Sequence, residues 1–290
     1  MSLNGKRKAV PAVADPSRPV LHLSGAKLRI ALEAALNGCE ELGGVEHYID
    51  ALKLKSRMFQ QALLEGDLEA LDLDTVAGLA TFMATVRRRI AAELEADGLS
   101  RLRHALALLL NEIKDTSSAN QRIAAFCAQY PADRAHRWVR DLAAEVLHNV
   151  EPERYPLMTR WVWDQQANTG ALREIWFAED IDRITLNVPD DYETFLVLRE
   201  ELSVFLTDNG FFRDITWYVD VLLAQIYAEY ISAQGGTYLR TDFSSPEDPM
   251  QHSRRMLGLD GVKAGSAKLR LKTIEGRGFV LEDEPQESVN

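Results

Sequence analysis

The sequence predicts a mainly α-helical protein: an irregular multi-helix bundle with a minor β element and a small C-terminal hairpin. Three observations carry that expectation. Apolar residues recur at 3–4 spacing through most of the chain, as in Val76, Leu79, Met83, Val86, Ile90 and Leu94. Connections between such runs are short, which favours antiparallel neighbours in a bundle. Period-two alternation is confined to "IDRITLNV" (181–188) and to "KLRLKTI" and "FVLEDE" around "EGRG" near the end.

Taken in order, residues 1–22 read as a flexible N-terminal arm rich in Pro, Ala and charge. A bundle is expected over 23–115. Its first amphipathic stretch, with Leu28, Leu32 and Ala35, stops at Asn37-Gly38; a second follows Gly43-Gly44, with Val45, Tyr48, Ile49, Leu52, Phe59 and Leu63 on one face. The third runs unbroken for five turns from a cap at Asp74 or Thr75 to Asp97-Gly98, and "LSRLRHALALLLNEI" makes the fourth.

"DTSSANQ" (115–121) marks a boundary, and a Trp-rich helical part is expected over 116–257. It opens with a short helix stopped by Pro131 and a helix over about 133–149. Pro156 then starts a helix carrying Trp161 and Trp163 and ending near Gly170. A short strand is expected at 181–188, through Ile184, Leu186 and Val188. Two strong helices follow over 190–208 and 214–233, the second closed by a left-handed cap at Gly235-Gly236. Ser245, Pro246 and Asp248 start a last short helix, and residues 258–290 form the hairpin and a loose tail.

The 290 residues are 46% apolar and 27% charged, ordinary values for a folded globular chain. The formal net charge of -11 repels phosphate backbones and argues against general nucleic-acid binding. The N-terminus has a basic start but no continuous apolar core, and no run reaches the roughly 20 apolar residues of a membrane span. A cytoplasmic location is expected, with no membrane contact. Cys39 and Cys127 belong to no CxxC or Cys/His cluster, so each is expected as a reduced, buried thiol.

Glu145 and His148 stand in Glu-x-x-His spacing, which di-iron bundles use to hold metal between helices. Such sites need a second copy, and none exists here. At about 100° per residue, Trp138, Val139, Leu142, Val146 and Val150 form one apolar side, with Asp141 and His148 nearly opposite. The expected role is a solvated face with no metal or cofactor. Only if further helices covered that face would Asp141, Glu145 and His148 become a semi-buried polar cluster and acid/base candidates.

Trp161 and Trp163 lie on different sides of their expected helix; one could line a pocket or partner surface, although an aromatic core is the plainer role. Arg154, Tyr155, Arg160 and Arg173 form a conceivable anion-binding corner. Arg87, Arg88 and Arg89 fan out on a polar face, and the basic islands near both chain ends read as ordinary chain ends, with an acidic partner or RNA as the lower-ranked alternatives. The other histidines do not cluster, and GxSxG, GxxxxGK[ST] and GxGxxG are absent. These features favour a non-catalytic adaptor, assembly factor or regulatory subunit with a protein partner. The rival is an enzyme or ligand-binding protein with a pocket between the Trp-rich helices, served by Asp141, Glu145 or His148.

Overall fold

The computed structural model describes residues 18–40, 43–95, 97–235, 250–260, 270–272 and 278–280. The protein is mainly α-helical. Among the described residues no helix is long and apolar enough to cross a membrane. Most of the expected N-terminal arm, Gly236 of the expected left-handed cap, the Ser245–Asp248 start and the C-terminal tail lie outside the described residues.

Helix α1 (Gly25–Glu40) runs through Asn37-Gly38 instead of stopping there, because Ala35, Gly38 and Cys39 share a buried face that outweighs the local helix-breaking preference. Helix α2 (Val45–Gln60) buries the expected stripe from Val45 to Phe59, and Lys55 and Ser56 are buried with it. Helix α3 (Leu73–Thr81) is capped by Asp72, whose Oδ1 accepts from the Thr75 amide at 2.8 Å.

The expected five-turn helix is broken. Tight turns separate α3 from α4 (Ile90–Glu93), through bonds such as Met83 N–H to the Ala80 carbonyl and Arg89 N–H to that of Val86. These turns keep a spacing near three, so Val76, Leu79, Met83, Val86 and Ile90 all remain buried despite the break. The break admits Gly258. A Cβ there would sit 1.8 Å from the Phe82 carbonyl oxygen, and Gly258 has φ +75°. Gly258→Ala is therefore expected to cost at least about 2 kcal/mol, measured by urea denaturation, because left-handed strain and a backbone clash coincide.

Helix α5 (Gly98–Leu110) buries Leu102, Ala105, Leu106 and Leu109. Asp115 caps a 3-10 turn at Thr116–Ser118, and α6 (Ala119–Cys127) follows. Asp133 caps a second turn, Arg134–His136, that leads into α7 (Trp138–Val150).

No helix forms between Pro156 and Gly170. Residues 155–163 cross the interior as turns and extended chain, with Tyr155, Leu157, Met158, Trp161, Val162 and Trp163 all buried. A helix would send the two tryptophans to different sides; an irregular segment enclosed all round buries both. Its backbone is satisfied by the start of α8 (Ala171–Glu174): the Ala171 and Leu172 amides donate to the Trp161 and Val162 carbonyls at 2.9 and 3.0 Å.

The expected strand at 181–188 is also absent. Ile181–Arg183 make a 3-10 turn, and the chain beyond is extended without a neighbouring strand. Side chains take the partner strand's place: Arg173 donates to the Ile184 carbonyl, Asn168 accepts from the Leu186 amide, and Trp163 Nε1 donates to the Val188 carbonyl.

Helix α9 (Tyr192–Asp208) is capped by Asp191. Helix α10 (Ile215–Gly235) is apolar nearly all round, as a central helix must be. Helix α11 (Gln251–Leu257) packs on α10 and ends at Gly258. Arg270–Lys272 and Gly278–Val280 pair antiparallel, with Leu271 opposite Phe279. Helix α2 packs on α7 and α1 on α10, so the apolar core crosses residue 115.

Candidate functional site

Helix α7 is the most enclosed element near the candidate residues. Of its 13 residues only Arg140 escapes burial, so the expectation of a solvated Asp141–Glu145–His148 face is overturned. Helix α2, the buried 155–163 segment and helix α10 supply the cover that the apolar stripe alone did not reveal. The three residues occupy one stripe at i, i+4 and i+7. Each meets a partner from a different part of the chain.

Asp141 is fully buried and accepts from Arg160 Nε and Nη2, at 3.2 and 2.8 Å, and from the Arg160 backbone amide at 2.9 Å. Burial works against the Arg160 charge most strongly, yet the Asp141 bond and charge reverse that and hold its pKa above the ordinary guanidinium value. Glu145 Oε2 accepts from Lys55 Nζ at 2.8 Å and from Asn149 Nδ2 at 3.2 Å. Lys55 also donates to the Leu257 carbonyl at 3.1 Å, tying α11 to α2 and α7.

His148 Nδ1 lies 2.8 Å from the Tyr155 carbonyl, which can only accept, so Nδ1 carries a proton. Nε2 lies 2.8 Å from Asp220 Oδ2 on α10. A lone pair on Nε2 would face a carboxylate, so the stable state puts a second proton between them. Burial is the largest influence on this imidazole and pulls its pKa down. The charge and hydrogen bond of Asp220, with smaller help from Tyr155 and Glu145, outweigh it and hold the pKa above 6.5. Trp217 closes the pair edge-on, its ring centroid 5.7 Å from the imidazole. Both ring nitrogens are committed. Among the described residues no three or more His, Cys, Asp and Glu side chains converge as a metal-binding group.

The tryptophans are core residues. Trp161 packs against Tyr227 at 6.0 Å, and Trp163 is fully buried. The expected corner of Arg154, Tyr155, Arg160 and Arg173 is not assembled. Arg154 pairs with Glu151, Arg173 bonds the Ile181 and Ile184 carbonyls, and Tyr155 bonds the buried Arg122. Arg154 is exposed on the surface, and Arg160 faces a cleft.

That space is a groove of about 800 Å3 at the amino end of α7. Ala124, Ala128, Tyr130, Pro131 and Val139 give it an apolar wall; Arg134, Arg137, Arg140 and Arg160 face it, with Asp133, Asp164 and Asp190 interspersed. A smaller cleft of about 300 Å3 shares Arg134, Arg137 and Arg160 and adds Arg89. The three shared arginines form a ridge between the two. None of Asp141, Glu145, His148, Trp161 or Trp163 lines either cleft.

Buried carboxylates set the ridge. Asp141 fixes Arg160, and Asp164 accepts from Arg137 Nη2 at 2.7 Å. Arg140 Nη2 donates to the Asp190 carbonyl, while its buried Nη1 makes no hydrogen bond among the described residues and lies 3.5 Å from the Asp190 carboxylate. His136 braces the rim between Asp133 and Glu93, at 2.7 and 3.0 Å; the Asp133 bond is the main reason its pKa is raised above 6.5. Cys127 lines the groove, and burial pushes its thiol pKa up. Arg134, Arg137 and Arg140 carried no motif in the sequence. The only signal was i,i+3 spacing of arginines ahead of and within the first turn of a helix.

Compared with known proteins, the chain matches no family model, no curated protein and no solved structure.

Proposed function

We propose that this protein is a non-catalytic binding protein, working in the cytoplasm, that recognises an anionic group in the groove at the amino end of α7. The observation that carries this reading is the arginine ridge. Guanidiniums held by buried carboxylates line open volume of the size ligands occupy, in a chain whose net charge is -11. An enzymatic role for Asp141, Glu145 and His148 is disfavoured by the same geometry, because each is closed into a pair away from that volume.

Arg134 gives the cleanest test. It is exposed and lines both clefts, and no side-chain bond ties it to the fold among the described residues. Titration calorimetry with inorganic phosphate is expected to show saturable binding to the native protein. Arg134→Glu should abolish it while leaving the urea midpoint within experimental error. Undiminished binding in that variant would place anion recognition elsewhere.

A further inference from the structure

The groove is two-sided, and its ligand should match both sides. One wall is apolar: Ala124 and Ala128 are exposed and one helical turn apart, with Pro131 continuing the surface. The ridge lines the same groove, where Arg134, Arg137 and Arg160 face both clefts. A carboxylate matches the fork of one guanidinium. Several guanidiniums along one ridge are better matched by a group with three acceptor oxygens and close to two negative charges. Asp141 and Asp164 preorganise two of them, so less ordering is required on binding. The smaller cleft offers little apolar surface for a ligand's body; the larger one does.

We infer that the ligand is an amphiphilic phosphomonoester, its phosphate seated on the arginine ridge and its apolar body lying along the Ala124–Ala128 wall. This rests on the anion-binding reading above and adds the ligand's chemical class. Aspartates interspersed in the lining add discrimination, since they repel a second anionic group placed away from the ridge.

The test is calorimetry on the full chain with three probes: inorganic phosphate, hexyl phosphate and hexanol. Hexyl phosphate is expected to bind about tenfold tighter than inorganic phosphate, or more, since burying two methylenes is enough for that gain. Hexanol should not bind measurably. Ala128→Trp, which occupies the space along the apolar wall from an exposed position, should bring the ratio of hexyl phosphate to inorganic phosphate affinity down towards one. Equal affinity for the two phosphates, or a hexyl advantage that survives Ala128→Trp, overturns this inference and leaves the anion-binding reading standing. Failure of both phosphates to bind, or equal binding of both to Arg134→Glu, overturns the two together.

Discussion

Lys55→Met or Glu145→Leu alone is expected to destabilise the protein by about 3–5 kcal/mol in urea unfolding, while the double variant recovers most of that loss. The two side chains are 4% and 2% exposed and 2.8 Å apart. Removing Lys55 leaves the Glu145 carboxylate buried with, among the described residues, only Asn149 as a side-chain donor. Removing Glu145 strands an ammonium whose remaining partner is the Leu257 carbonyl. Desolvating an unpaired charge is far more costly than the net worth of the pair, so replacing both by apolar side chains of similar length relieves the problem. Additive losses in the double variant would show that the pair is not coupled and that α11 is held in another way.

The His148–Asp220 pair is expected to make stability depend on pH with a definite sign. In the unfolded chain His148 titrates near its ordinary 6.5; in the folded protein its pKa is raised. The native state therefore keeps a proton that the unfolded state has lost. The stabilisation is full below about pH 6.5 and declines as pH rises through the folded pKa. Asp220→Asn keeps the shape but removes the charge that opposes burial. The imidazole then stays neutral in the fold, with Nδ1–H still donating to Tyr155 and Nε2 accepting from the new amide. Its folded pKa falls below 6.5, so its contribution is present above that value and lost as pH drops. His136 titrates in the same sense as wild-type His148 but is common to both proteins, so the difference between their urea midpoints from pH 5 to 9 isolates His148. Parallel curves would refute the shared proton. Asp220→Ala, with neither charge nor hydrogen bond, is expected to cost about 3–5 kcal/mol near pH 6.

The pairs on α7 also explain which parts of the candidate site were legible beforehand. The apolar stripe of Trp138, Leu142 and Val146 was readable from its period, and all three are buried as that period requires. The polar stripe was not readable as buried, because its partners stand 19, 72 and 90 residues away. Two local signals existed. Lys55 and Ser56 interrupt the apolar face of α2 between Leu52 and Phe59. Asp220 sits within a helix apolar nearly all round. A charge in either setting must find a partner.

By itself, then, the sequence determined the helical character and the core residues of α2 to α5, because periodicity acts within a few residues of the chain, whereas the cap expected at Asp74 or Thr75 falls on Asp72. The tertiary structure decided the rest. It broke the long third helix where α11 meets Phe82, turned the expected Trp161–Trp163 helix into a buried irregular segment, and replaced an expected strand's neighbours by side chains of Trp163, Asn168 and Arg173. It also gathered Arg134, Arg137, Arg140 and Arg160 around one groove while closing Asp141, Glu145 and His148 into the interior. The physical reason is the same throughout. Burial and charge pairing act between residues that are neighbours only after folding, and near an element's end they outweigh local preference.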